Sequence, residues 1–356
     1  MSINDECKVA VIADWDADGV VGASLIYYAQ EKRGVFPVKG VKEKVCLVPS
    51  GPRSILESIS GKCWEHVVII DIPLTAEVEE ALAKLKECGA KIYYFDHHES
   101  TLKRMAELEE KYGVFGVIGK SSSAVIIKRF LEGLGLRFTQ RMKDFVAAVA
   151  VLEGGRRYVD SVNDKIVTMA ASISKMLNQT RNREAWEKYV RWIGNPLPFE
   201  SPGIKLPKLG EKGNLLEYGA EVSERADKEL KEAAVKLAMS AENLGYIKFV
   251  DARDEWRKRG SSALASAIYK IVNMPVAVVV EKSDGARLLV IRSGHGEARI
   301  IMDYLYEQGV VIDKGGHRNI AVARLSDAIT IRRLKEELRR AVIYAFRKRS
   351  SPKDIL

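Results

Sequence analysis

The chain has 356 residues, 47% of them apolar and 29% charged, enough for two globular domains with ordinary cores. No apolar run approaches the ~20 residues that cross a bilayer, and the N-terminus enters the first strand pattern without a signal-peptide pattern, so the expectation is a cytoplasmic protein with no membrane partner. Of the +9 net charge, residues 315–356 supply 11 Lys/Arg against 4 Asp/Glu, and the four cysteines (Cys7, Cys46, Cys63, Cys88) lack any CxxC, which argues against zinc ribbons and a disulfide framework and fits a reduced cytosol.

Up to about residue 135 the pattern alternates strand and helix. Strands are predicted over Lys8–Ala13, Val45–Val48, His66–Ile70, Lys91–Phe95 and Gly113–Ile118, with helices over Val20–Gln30, Ser54–Ile59, Ala76–Cys88 and Leu102–Lys111. This is the order of a parallel, doubly wound sheet. Helical patterns then dominate to Ile193, including Thr139–Leu152 and Lys165–Leu177. Asn195 to Asn214 holds four of the ten prolines and three glycines and reads as a linker. A long helix from Leu215 to about Asn243 leads into a second, smaller α/β unit with strands Ile247–Asp251, Val276–Glu281, Arg287–Arg292 and Ile320–Leu325, and helices near Ser262–Ile271 and Glu297–Tyr306. The expected division is residues 1–194, a connecting stretch 195–243, and 244–356.

The last predicted helix, Ile331–Phe346, sets Ile331, Leu334, Leu338, Val342 and Ala345 on one face and Arg332, Arg333, Lys335, Arg339 and Arg340 on the other. The basic face is read either as an ordinary solvated surface or as an electrostatic footprint for a polyanion such as nucleic acid. No aromatic platform interleaves with these arginines in the sequence.

Three of the predicted strands end in acidic clusters: Asp14-Trp15-Asp16-Ala17-Asp18-Gly19, Asp71, and Asp96-His97-His98. Ligand sites of open α/β sheets form at the carboxyl ends of strands. Carboxylates gathered there repel one another unless a cation neutralises them, so the reading is a divalent-metal site, with two ions. Asp16 and Asp18 flank one alanine at a strand-to-helix turn and can present oxygens to different ions, with Asp14 one step further in. Asp71 is placed to bridge two ions, and an imidazole from His97 favours Mn2+, Fe2+, Co2+ or Zn2+ over a purely hard Mg2+ site. His98 is a candidate donor to a phosphate oxygen.

DWDADG, a strand-terminal Asp71 and DHH, in this order, resemble the first three motifs of the DHH phosphoesterase superfamily. Gly315-Gly316-His317 resembles the GGH signature of the DHH-associated C-terminal domain, and the motifs run from residue 14 to residue 317. The first motif is similar to that of RecJ nucleases, while the length is closer to compact two-domain members such as NrnA-type oligoribonucleases and archaeal RecJ-like proteins. The resemblance implies a two-metal phosphoesterase that uses Mn2+, with Mg2+ or Co2+ as substitutes, and a site in a cleft between the domains. By motif, Asp16 and Asp18 match the paired metal ligands, Asp71 the bridging ligand and His97 the metal-binding histidine. His98 matches the residue facing the substrate phosphate, and Asp96 would orient the histidines from behind. Arg292-Ser293 resembles the RS element that grips phosphate, together with Gly315, Gly316 and His317. Ser121–Ser123 and Ala124 resemble the helix start that follows DHH, read equally as structural or as a substrate contact.

Two departures stand out. Ile12 occupies a position where many members carry a histidine, which leaves Asp14 as a substitute ligand. The family's fourth motif ends in an aspartate, where the best match here offers Glu153, with Asp160 as a fallback. The implied reaction is hydrolysis by water without a covalent intermediate. The first expectation for substrate is single-stranded DNA or RNA, cut exonucleolytically to mononucleotides. The alternatives are a phosphoesterase for short oligoribonucleotides, adenosine bisphosphate or cyclic dinucleotides, and a nucleic-acid-binding replication scaffold with weakened catalysis.

Overall fold

The computed structural model describes residues 7–154, 162–197, 215–282 and 284–349. In chain order the first elements are β1 (Val9–Ala13), α1 (Ala17–Tyr27, continued by a π-helical turn Tyr28–Lys32), β2 (Val45–Pro49), α2 (Ile55–Ile59), β3 (His66–Ile70), α3 (Ala76–Glu87) and β4 (Lys91–Asp96). There follow α4 (Glu99–Leu102), α5 (Met105–Tyr112), β5 (Phe115–Ile118), α6 (Ser123–Gly133), α7 (Gln140–Gly154), α8 (Asp164–Thr180) and α9 (Arg183–Ile193). The five strands form a wholly parallel sheet in the order β2-β1-β3-β4-β5.

The apolar runs have a direct cause. The central strands of a parallel sheet covered on both sides are buried on both faces. Val9, Val11 and Ala13 of β1, with Val68 and Ile70 of β3, enter one core, which α1, α6, α7, α8 and α9 close. Ala10 and Ile12, with Val67 and Ile69, enter the other, beneath α2, α3 and α5. The strand order reverses direction between β1 and β3, which makes the gap outside their carboxyl ends the switch point where such sheets bind ligands.

The chain divides into two units, Met1–Ser223 and Glu224–Leu356, at a point inside α10 (Leu215–Met239). Tyr218 and Val222 pack on the core of the first unit, and Ala234 and Leu237 on that of the second. The second unit continues with β6 (Glu242–Asn243), β7 (Lys248–Asp251), α11 (Ser261–Val272), β8 (Val276–Glu281), β9 (Arg287–Arg292), α12 (Glu297–Glu307), β10 (Gly315–His317), β11 (Ile320–Arg324) and α13 (Ile331–Arg349). Its six strands lie in the order β10-β11-β9-β8-β7-β6, antiparallel except for β7 beside β8.

Three expectations are corrected. The long helix ends at Met239, because Glu242 and Asn243 leave it to pair with β7. The single helix expected over Leu102–Lys111 is two, α4 and α5, broken at Lys103–Arg104. The cysteines form two disulfides, Cys7–Cys46 and Cys63–Cys88, with Cα separations of 5.9 and 5.7 Å. Parallel pairing of β1 with β2 brings the first pair together, and the packing of α3 against α2 the second; neither adjacency shows in sequence separations of 39 and 25 residues. The absence of a CxxC therefore said nothing about pairing. Among the described residues no helix is long and apolar enough to cross a membrane.

Candidate metal centre

The DWDADG turn begins where β1 ends. The Asp16 carboxylate accepts from the Gly19 N–H at 3.0 Å and caps α1. A Cβ on Gly19 would lie 2.3 Å from the Asp14 carbonyl oxygen, so this turn admits only glycine. The same carbonyl accepts from Trp186 Nε1–H at 3.1 Å, tying the turn to α9.

Asp18 and Asp71 are buried beside each other. Asp18 accepts from two backbone amides at the start of α6, Ser123 at 2.6 Å and Ala124 at 2.8 Å. The Ser123 hydroxyl donates to Asp71 Oδ1 at 3.1 Å. The serine run thus serves structure and site together, since it positions two carboxylates. Asp71 itself adopts φ 58, a left-handed conformation that costs a non-glycine residue roughly 1–2 kcal/mol. Its N–H donates to Phe95 O at 3.0 Å, so the strained residue is pinned to the end of β4. Strain held in place by its surroundings is characteristic of functional positions.

His97 and His98 follow β4 and meet these carboxylates. His97 Nε2 lies 3.3 Å from Asp71 Oδ1 and 3.9 Å from Asp18 Oδ2. His98 Nδ1 is 2.7 Å from Asp96 Oδ1 and 3.9 Å from Asp71 Oδ1. Asp71, His97 and His98 offer ligand atoms that all lie within 4.8 Å of one another. Asp14, Asp16 and Glu153 join the group through charge. Desolvation and then Asp16 push the Asp14 carboxyl up to about 7, against the opposing pull of Arg181. Glu153 keeps surface open to solvent, yet its carboxyl is crowded by protein atoms and faces Asp16, and it too is pushed up to about 7. Asp18 is held well above the carboxylate range by burial and then by Asp16, and Asp71 by burial and then by Asp18. For His98, burial works to lower the pKa, but the hydrogen bond and charge of Asp96, with Asp16 and Asp14, outweigh it and raise it. Asp160 lies outside the described residues.

This donor set fits a divalent cation. Asp18 and Asp71 are buried side by side, Asp14 and Glu153 are crowded against Asp16, and one oxygen of Asp96 has no hydrogen-bond partner among the described residues. Oxygen and nitrogen ligands about 2.1 Å from an octahedral ion stand about 3 Å apart, close to the Asp71–His97 spacing. The guanidinium of Arg181, 5.1 Å over the Trp15 ring, is a cation that sequence reasoning missed; it comes from the C-terminus of α8 and carried no motif signal.

In the second unit, Arg292 ends β9 and Gly315–His317 form β10. Ile320 of β11 pairs with Arg292 on one side and His317 on the other, so the RS and GGH elements converge at one end of that sheet. Arg292 donates through Nη1 to the Ser293 and Asn319 carbonyls at 2.7 and 2.8 Å and lies 5.2 Å over the Tyr269 ring. Ser293 is buried, with its hydroxyl accepting from Ala298 N–H at the start of α12. Gly316 has φ +105, and a Cβ there would stand 2.3 Å from the Ile320 carbonyl oxygen.

No protein-family model matches the chain, and no curated protein matches it in sequence. Solved structures do share its fold. RecJ from Thermus thermophilus, in complex with Mn2+, superposes with a TM-score of 0.65 at 18% identity, covering 97% of this chain and 53% of that one. The chain thus spans about half the length of that protein. The DHH domain of a member of a family of ribosomal proteins gives 0.62 at 16%, covering 97% and 87%. A pGpG-specific phosphodiesterase from Vibrio cholerae gives 0.53 at 12%, covering 94% and 99%.

Proposed function

We propose that this chain, whose fold is that of the RecJ-like DHH proteins, is a divalent-metal-dependent phosphodiesterase acting on single-stranded nucleic acid. The observation that carries the reading is the pairing of buried Asp18 and Asp71 with the partly exposed His97 and His98 at the switch point of a parallel sheet. Asp16, Asp18, Asp71 and His97 would hold the metal, with Asp14 and Glu153 as further carboxylates and Mn2+ as the first expectation. When bound, the cation supplies Lewis acidity toward the phosphoryl group and makes water nucleophilic at neutral pH.

The chain's own residues orient and balance charge. Asp96 engages Nδ1 of His98, which leaves Nε2 to face the substrate, and the hydrogen bond and charge of Asp96 raise the imidazole's pKa in the metal-free chain. Ser123 keeps Asp71 in place when its charge is shared with a ligand. Arg292 is braced for a planar, charge-assisted contact with phosphate. The backbone of Gly315 and Gly316 lies at the same end of its sheet.

A second reading, cleavage of very short oligonucleotides, is supported by the likeness to the pGpG-specific phosphodiesterase along nearly its whole length. End-labelled DNA and RNA strands, from dinucleotides to about forty nucleotides, incubated with Mn2+, separate the two. Stepwise degradation of long strands is the expected result. Cleavage confined to the shortest strands selects the second reading, and binding without any cleavage overturns both.

A further inference from the structure

At 100° per residue, α13 separates into two faces. Leu334, Leu338, Ala341, Val342 and Ala345 are buried in the core of the second unit. Arg332, Arg333, Arg339, Arg340 and Arg347 are exposed along about 22 Å of helix axis. Glu336 and Glu337 answer Arg332 and Arg340 at 3.4 and 2.8 Å, whereas Arg333 and Arg347 have no acidic partner among the described residues.

No aromatic platform was expected beside these arginines, yet Tyr344 and Phe346 stand between Arg340 and Arg347 in the sequence, and the fold adds Tyr246 and Tyr304. Phe346 meets Tyr246, which follows β6, with ring centroids 4.7 Å apart. Tyr344 meets Tyr304 of α12 at 5.3 Å, with Lys348 Nζ 5.9 Å from the Tyr344 centroid. Tyr246 is 65% exposed, and Tyr344 and Phe346 39% each. Residues 344 and 346 point about 160° apart around the helix, and the arc between them contains all five arginines. The surface is a cationic stripe with an aromatic edge on each side.

We propose that this face of α13 is a second strand-binding surface for single-stranded nucleic acid, with phosphates on the arginine stripe and unpaired bases on Tyr246, Tyr344 and Phe346. For the identity of its occupant the inference rests on the phosphodiesterase reading. An acidic protein would satisfy the arginines alone. A single strand, with charge along its backbone and π-faces beside it, matches both the stripe and its edges. A duplex keeps its bases stacked and leaves the rings unused.

Binding of a labelled oligothymidylate of about 30 nucleotides to the full chain, followed by fluorescence anisotropy from about 50 to 200 mM salt, tests this. EDTA is present throughout, so the result does not depend on hydrolysis. Arg333→Gln/Arg340→Gln/Arg347→Gln is expected to weaken binding at least about tenfold and to flatten the log–log salt slope by about 2. Tyr246→Ala/Tyr344→Ala is expected to weaken binding at least about fivefold with the slope unchanged. Arg225→Gln/Lys228→Gln/Lys231→Gln, an equal charge loss on α10, serves as the control. Arg333→Gln/Arg347→Gln spares the Arg340–Glu337 pair should the triple variant misfold. The proposal is overturned if the parent chain does not bind, if the α13 variants bind as the parent does, or if the control loses as much as they do. A chain that binds in this pattern but cleaves nothing overturns the phosphodiesterase reading and leaves the surface standing.

Discussion

Asp71→Asn is expected to lose metal-stimulated phosphodiester hydrolysis by roughly 10³-fold, the scale of removing one electrostatic contributor to a transition state. The same substitution is expected to make the metal-free protein more stable. Asparagine keeps an oxygen to accept the Ser123 hydroxyl and tolerates the φ of 58 better than most residues. It removes a carboxylate that burial and then Asp18, Asp16, Asp96 and Asp14 hold well above its ordinary pKa, and which therefore costs folding energy when ionised. A gain of about 1 kcal/mol would appear as a rise of roughly 2–4 °C in melting temperature in EDTA. A purely structural Asp71 predicts the opposite pair: activity retained and stability lost. A variant that is inactive and more stable marks Asp71 as a functional carboxylate rather than a structural one.

The second large effect is the response of the parent protein to pH and metal. Asp14 and Glu153 are pushed up to about 7, and Asp18 and Asp71 are raised well above the carboxylate range. A raised folded-state pKa contributes stability that is fully present below the unfolded value near 4 and is lost as pH rises through the folded value. Metal-free protein should therefore melt lower at pH 8 than at pH 5.5. Mn2+ at about 100 times its Kd adds about 2.7 kcal/mol, or roughly 5–11 °C, and its effect is larger at pH 8, where the ligands are ionised. Thermal melts at the two pH values, in EDTA and in Mn2+, measure all four corners. Melts that are flat with pH and indifferent to Mn2+ would remove the cation from the account.

Much of the first unit was legible because a parallel sheet covered on both faces writes itself as unbroken apolar runs. His66–Ile70 is a strand in the sequence pattern and in the structure, and Asp71 follows it in both. The same pattern ends β1 and β4 at their acidic clusters. What stayed hidden depends on contacts between distant residues. Ser123 meets Asp18 and Asp71 across separations of 105 and 52 residues, and no local pattern distinguishes that role from an ordinary helix start. Tyr246 and Phe346 are a hundred positions apart and become neighbours only when the turn after β6 and the end of α13 are packed. Short strands were also missed. Gly315–His317 is absent from the expected strands because glycine has little strand preference, yet β11 supplies its partners. Glu153 could be named but not placed from the sequence; the structure sets its carboxyl within the influence of Asp16 and His98.

The central claim is that the carboxylates and histidines at the switch point form a divalent-cation site. Calorimetric titration of Mn2+ into metal-free protein near pH 7.5, beside Asp71→Asn under the same conditions, tests it most directly. The account predicts two ions per chain, bound with release of protons from the raised carboxylates, and loss of at least one of them in the variant. Absence of binding in the parent chain, or the same stoichiometry and affinity in Asp71→Asn, would contradict it.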